Sequence, residues 1–142
     1  MKAALRMFIA VILLGAIACT PTRRTLTIEQ GWELLGEVKA NFVRDKDEME
    51  VMSANPFTHI RFRVEGKDIR LYELTVHFIN GDKLSPQVDE VIPAGRESRN
   101  IELAQDGRQV RKIEFRYRST GSILEGRAQI LVFGKRYQMM GS

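Results

Sequence analysis

Apolar side chains recur at every second position along much of this chain, and that period decides what it can fold into. In residues 57–64, Ile60, Phe62 and Val64 share one face of an extended strand, while His59, Arg61 and Arg63 share the other. Residues 109–118 repeat the pattern: Ile113, Phe115 and Tyr117 alternate with Lys112, Glu114, Arg116 and Arg118. A helix needs a period of about 3.6, and no long stretch after Thr25 keeps it. The expectation is an all-β, antiparallel fold whose strands bury one face and solvate the other.

Turn residues cut the pattern into segments. Glu65-Gly66-Lys67-Asp68 separates residues 57–64 from 69–79, which predicts a hairpin between them. The second segment changes parity: Ile69 and Leu71 fall on one count, Leu74, Val76 and Phe78 on the other. A one-residue slip would turn the apolar set outward, so a β-bulge is expected near Leu71-Tyr72-Glu73. Asn80-Gly81-Asp82 predicts a type I′ turn. Residues 83–92 read as extended but broken at Pro86, which cannot donate to a ladder. Pro93-Ala94-Gly95 turns the chain. Residues 98–103 form a short strand with Ile101 and Leu103 inward, and Gln105-Asp106-Gly107 turns it again. Residues 119–122 read as a loop and 127–133 as the last strand.

Nearer the start, residues 31–43 read as one bent strand or two short ones. Gly31 and Gly36 disfavour a helix there, while Trp32, Val38, Phe42 and Val43 favour β structure. Arg44-Asp45-Lys46-Asp47 reads as a turn, and residues 48–53 as a further short strand. The total is about eight strands with turns roughly every 8–12 residues, the pattern of an antiparallel β-sandwich or jelly roll.

The N-terminus is different in kind. Lys2 and Arg6 flank the start of an apolar run over residues 7–17. A membrane-spanning helix needs about 20 such residues, so the run has the length of a signal-peptide core. Ala16-Ile17-Ala18 fits the small-x-small site of ordinary signal peptidase. Ala16-Ile17-Ala18-Cys19 also resembles a bacterial lipobox, in which the cysteine thiol accepts a diacylglycerol and becomes the first mature residue. Ala16 stands where that pattern usually has leucine, and both cleavages stay open. The polar stretch Thr20-Pro21-Thr22-Arg23-Arg24-Thr25 suits a tether. The expected organisation is a signal peptide over 1–18, a lipidated Cys19 with its tether over 19–30, the β domain over 31–134 and a frayed tail over 135–142. Thr20, rather than aspartate, follows the cysteine, so the lipobox resemblance implies an outer-membrane lipoprotein facing the periplasm. Ordinary cleavage implies a soluble periplasmic or secreted protein.

Few residue types are placed for chemistry. Cys19 is the one cysteine, so neither an intrachain disulfide nor a cysteine metal site can form. The formal charge is +4, Lys2 and Arg6 contribute to it, and acids and bases are interspersed. That balance excludes the concentrated basic face a nucleic-acid partner requires. His59 and His77 fall on polar strand faces. They read as solvated or interfacial, since a metal pair would want a carboxylate at supporting spacing. Asp45-Lys46-Asp47-Glu48 offers oxygen ligands but lacks the glycine and distal glutamate of a calcium loop, so it reads as a solvated turn. No Gly-x-Ser-x-Gly element and no phosphate-cradling glycine loop occurs. Neither a cofactor nor a metal is expected. The one concentration of like charge is basic: Arg61 and Arg63 on one strand face, Lys112, Arg116 and Arg118 on another. On neighbouring strands these cations would face carboxylates or phosphates of a ligand. Taken singly they are an ordinary solvated surface, partly neutralised by Glu114.

Gly31-Trp32-Glu33-Leu34-Leu35-Gly36, Ile92-Pro93-Ala94-Gly95 and Ile113-Glu114-Phe115-Arg116-Tyr117-Arg118-Ser119 resemble an uncharacterised family of small exported bacterial β-sandwich proteins. The resemblance implies export, a sandwich, Trp32 in the core and a turn at Gly95, and brings no activity with it. The expected function is a non-enzymatic cell-envelope module, anchored to the membrane through Cys19. Its ligand would be an anionic envelope polymer, a lipid head group or another envelope protein. The alternative is a carbohydrate-binding jelly roll that stacks sugars on Tyr72, Tyr117 or Tyr137. A third reading is a hydrolase whose paired carboxylates assemble in space.

Overall fold

The computed structural model describes residues 28–40, 44–120 and 126–139. The expected signal peptide, Cys19 and most of the tether lie outside them, as do Phe42 and Val43. The strands are β1 (Trp32–Lys39), β2 (Arg44–Glu50), β3 (Pro56–Glu65), β4 (Ile69–Phe78), β5 (Lys83–Leu84), β6 (Glu90–Ile92), β7 (Ile101–Glu102), β8 (Arg108–Ser119) and β9 (Gln129–Arg136). No helix occurs among the described residues, and every ladder is antiparallel. The hydrogen-bonded path runs β1-β9-β3-β8-β4-β5, with β2 on β8, β6 on β4 and β7 on β3, and the sheet curls into a half-barrel.

The central strand is β8, the one with the strictest alternation. Val110, Ile113, Phe115 and Tyr117 point into the core and are essentially without solvent exposure. One edge of β8 carries β4 along most of its length. The other edge carries β2, and then, at Gln109 and Arg108, the start of β3. Beyond that contact β3 leaves β8 and pairs with β9. The sheet therefore folds over itself, and Phe62 of β3 meets Phe115 of β8 edge-on at 5.4 Å between ring centroids. A single cluster of buried apolar side chains from both halves fills the space between. Burial of that apolar surface is the main stabilising term available to a fold without disulfides.

The expected hairpin between residues 57–64 and 69–79 does not form. β3 pairs with β7, β8 and β9, whereas β4 pairs with β5, β6 and β8. Glu65-Gly66-Lys67-Asp68 is instead a crossover between the two halves of the sheet. Both strands bury one face in the same core, and facing each other across it satisfies the alternation as well as lying side by side would. Gly66 takes φ +81°, and its Cα passes so near the carbonyl of Arg127 that a Cβ would stand 2.8 Å from that oxygen.

Other turn and strand boundaries shift for local reasons. Residues 44–47 are strand rather than turn, because β2 fills the free edge of β8 and alternates Asp47, Met49 and Val51 inward. The inward carboxylate of Asp47 accepts a hydrogen bond of 2.5 Å from the Tyr117 hydroxyl. The turn after β4 is not type I′, since Gly81 has φ +92° but no non-glycine residue among the described residues has positive φ. Asn80 instead accepts a side-chain bond from the Asp82 amide. The C-terminal tail is not frayed at residues 135–136: β9 runs to Arg136, whose amide donates to Gly31. Trp32 is buried, but apart from the main core. It packs with Leu131, Phe133 and Leu34 on the outer face of β1 and β9. The bulge at Leu71/Glu73, the break at Pro86 and the turn at Gly95 lie where the sequence places them, and the register shift in β1 falls between Leu34 and Gly36.

Candidate functional site

The five basic residues fall into two groups. Arg61 and Arg63 lie on the outer face of β3, and Lys112, Arg116 and Arg118 on the outer face of β8. Because β3 and β8 meet only at Pro56/Gln109 and Phe57/Arg108, the strands diverge before the two groups could share a face. Arg61 is largely buried. Its guanidinium lies 4.0 Å from the centroid of the Trp32 ring and bonds Glu29 at 3.1 Å and Glu97 at 3.3 Å. Arg63 donates to Glu65 at 2.8 Å. Arg61 covers Trp32 and Phe133, and Arg63 is neutralised by Glu65.

On β8, Lys112 reaches Glu48 at 2.9 Å and Glu114 at 3.3 Å. The hydrogen bond to Glu48 raises the Lys112 pKa above its ordinary value. Burial pushes the Glu114 carboxyl up, but His77 and Lys112 beside it outweigh that and hold it below the usual carboxylate range. His77 is buried, with Nε2 3.4 Å from Glu114. Arg116 bonds Glu73 at 3.1 Å. Arg118 is exposed and has no ion-pair partner among the described residues.

Arg118 stands on an unusual rung. Its cross-strand partner on β2 is Arg44 and on β4 is Arg70. Like charges directly opposite one another destabilise a sheet, and of Arg70 and Arg118 only Arg70 has an ion-pair carboxylate among the described residues. Asp89 takes both Nε and Nη2 of Arg70, at 2.8 and 2.9 Å. The Arg70 guanidinium in turn holds the Asp89 carboxyl below its usual range.

Beside this rung lies a groove of about 670 Å³, lined by Arg70, Tyr72, Gln87, Asp89 and Arg118 among others. Two sequence features build it. The bulge makes Tyr72 the extra residue between Leu71 and Glu73, and so re-aims its ring into the groove. Pro86 breaks the pairing of residues 85–89 with β4, and the freed segment becomes the opposite wall. That wall is tied down by Arg70 on Asp89 and by Arg99, whose Nη2 donates to the Gln87 carbonyl at 2.6 Å. The groove can offer a ligand anion one free guanidinium and the face of one aromatic ring.

The histidines are not brought together, because β3 and β4 do not pair. No cluster of three or more metal-ligating side chains occurs among the described residues. The acidic run at residues 45–48 is strand, so the loop that would hold calcium is not built. Tyr117 is fully buried and cannot stack on a sugar, while Tyr137 is exposed at the far end of β9. A second hollow there, of about 510 Å³, draws on His59, Lys135 and Tyr137. Sequence reasoning did not find it, since its residues come from four separated stretches. The one sequence signal for it is Tyr137 as a candidate stacking ring. No helix of the described residues is long and apolar enough to cross a membrane.

The described residues thus define an all-β module, a curled antiparallel sheet with a charged outer face and shallow surface hollows. The chain belongs to the family described as a domain of unknown function, DUF2541, whose model matches residues 7–134. No curated protein and no solved structure matches it.

Proposed function

We propose that this chain is a non-enzymatic, sandwich-type binding module of the cell envelope that holds an anionic group in the groove beside Arg118. The observation that carries this reading is the cross-strand pair Arg118–Arg70, two like charges of which only Arg70 has an ion-pair carboxylate, Asp89, among the described residues. A bound carboxylate or phosphate relieves that repulsion, and the planar fork of Arg118 suits either. Arg116 and Lys112 are already neutralised by acids and lie outside this site. The location rests on the N-terminal pattern alone. Cys19 accepts the lipid, the tether spaces the domain from the outer membrane, and the groove faces the periplasm. Labelling cells with a clickable fatty acid tests the anchor: Cys19→Ala should abolish incorporation, and retained label would contradict it.

The test of the groove is a titration of the ¹⁵N-labelled full chain with inorganic phosphate at low salt. The amides of Arg118 and Thr120 should shift saturably, and Arg118→Glu should remove the shifts. Adding salt to about 0.15 M, where the screening length is roughly 8 Å, should weaken them. Shifts that are absent, or unchanged in Arg118→Glu, would overturn the reading.

A further inference from the structure

We infer that the hollow at the end of β1, β3 and β9 is a separate subsite for an acidic saccharide. It has about 510 Å³, within the size range of small-molecule sites. Three features of its lining point to the same ligand class.

The first is an aromatic floor that is held in place. Tyr137 is exposed, yet its amide donates to the Pro56 carbonyl at 2.8 Å. Its Cβ also lies against Gly107, closely enough that a side chain at Gly107 would collide with it. With its backbone and Cβ held, the exposed ring offers a stacking surface that suits the apolar face of a sugar.

The second is the charge. Lys135 lines the hollow without an ion-pair partner among the described residues, and no carboxylate is among the described residues that line it. The site is therefore positive and unneutralised, whereas Arg70 in the groove is already bound to Asp89.

The third is the supply of two-way hydrogen-bonding groups. Gln30, Gln105 and Gln138 bring amides that both donate and accept. The Thr58 hydroxyl donates to the Lys135 carbonyl at 3.4 Å and sits 3.0 Å from His59 Nδ1. Sugar hydroxyls need such mixed partners; a bare phosphate, which only accepts, does not. A negatively charged sugar, its ring over Tyr137 and its carboxylate on Lys135, uses all three features together.

Calorimetric titration of the full chain with trigalacturonate, maltotriose and inorganic phosphate tests this. Trigalacturonate should bind, and maltotriose should bind at least about tenfold more weakly. Tyr137→Ala should weaken trigalacturonate by about tenfold, the order of one aromatic contact. Tyr137→Phe should retain binding, and unchanged urea midpoints should show that both variants fold. Lys135→Gln should abolish the preference for the acid. Arg118→Glu should leave trigalacturonate binding intact. No trigalacturonate binding, equal binding of maltotriose, or indifference to Tyr137→Ala would each overturn the inference. Loss in Arg118→Glu with no effect of Tyr137→Ala would place the sugar in the groove, sinking this inference while sparing the proposed function.

Discussion

Replacing Gly66 by alanine probes the crossover between the two halves of the sheet. Two effects oppose folding of Gly66→Ala. A residue with a Cβ costs about 1–2 kcal/mol at φ near +81°. The new Cβ would also stand 2.8 Å from the Arg127 carbonyl oxygen. That atom is backbone at the entry to β9 and cannot rotate aside, so relief requires moving one segment, an overpacking cost of about 1–3 kcal/mol. The reduced freedom of the unfolded alanine chain returns about 0.4–1 kcal/mol. The net loss should be about 3 kcal/mol, within a range of about 1–5 kcal/mol. Gly95→Ala is the internal control, because Gly95 has a similar φ of +78° but nothing within 4 Å of its would-be Cβ. It should lose only about 1 kcal/mol. Urea unfolding can be followed by the fluorescence of Trp32, the one tryptophan in the chain. Equal losses for the two variants would refute the reasoning, since a plain hairpin turn would press on nothing.

Three further outcomes follow from the same structure. Tyr117→Phe removes the 2.5 Å bond to Asp47 and leaves that inward carboxylate without it, so the urea midpoint should fall by the equivalent of about 1–2 kcal/mol. Arg61→Ala uncovers Trp32, so emission should move to longer wavelength at little cost to the main core; unchanged emission would contradict the stacking. Stability should also plateau with pH. The depressed pKa of Glu114 gives stability that is present above the unfolded carboxylate value of about 4.3 and lost as pH falls through the lower folded value. The raised pKa of Lys112 gives stability that is complete below about 10.4 and lost as pH rises through its higher folded value. Glu114→Gln should shrink the acid limb of the urea midpoint, and a midpoint that rises on acidification would contradict the pairing.

What the sequence makes legible here is local. The parity change at Leu71 and Leu74 forces the bulge, and proline at 86 forces the break, because each is a steric or hydrogen-bonding fact about neighbouring residues. Pairing is not local. The same alternation that marks β3 and β4 as strands fits either a hairpin or two strands facing across a core, and only the competition for the edges of β8 decides. Residues 44–47 look like a turn by composition, yet β8 offers them an edge and Tyr117 offers Asp47 a partner. The basic residues follow the same division. Their presence on outer faces is readable from parity, whereas the neutralising acids Glu29, Glu73 and Glu97 come from other strands and connections. Arg70 was missed because its place beside Arg118 depends on the register of β4 after the bulge.

The account depends on β8 lying between β2 and β4 while β3 turns away to β9. Interstrand nuclear Overhauser effects on the labelled full chain report this directly. Glu114 should show contacts to both Glu48 and Thr75, and Phe62 should show backbone contacts to Val132. Backbone contacts running between residues 57–64 and 69–79, in place of those to β9, would restore the hairpin and dissolve the arginine rung with it.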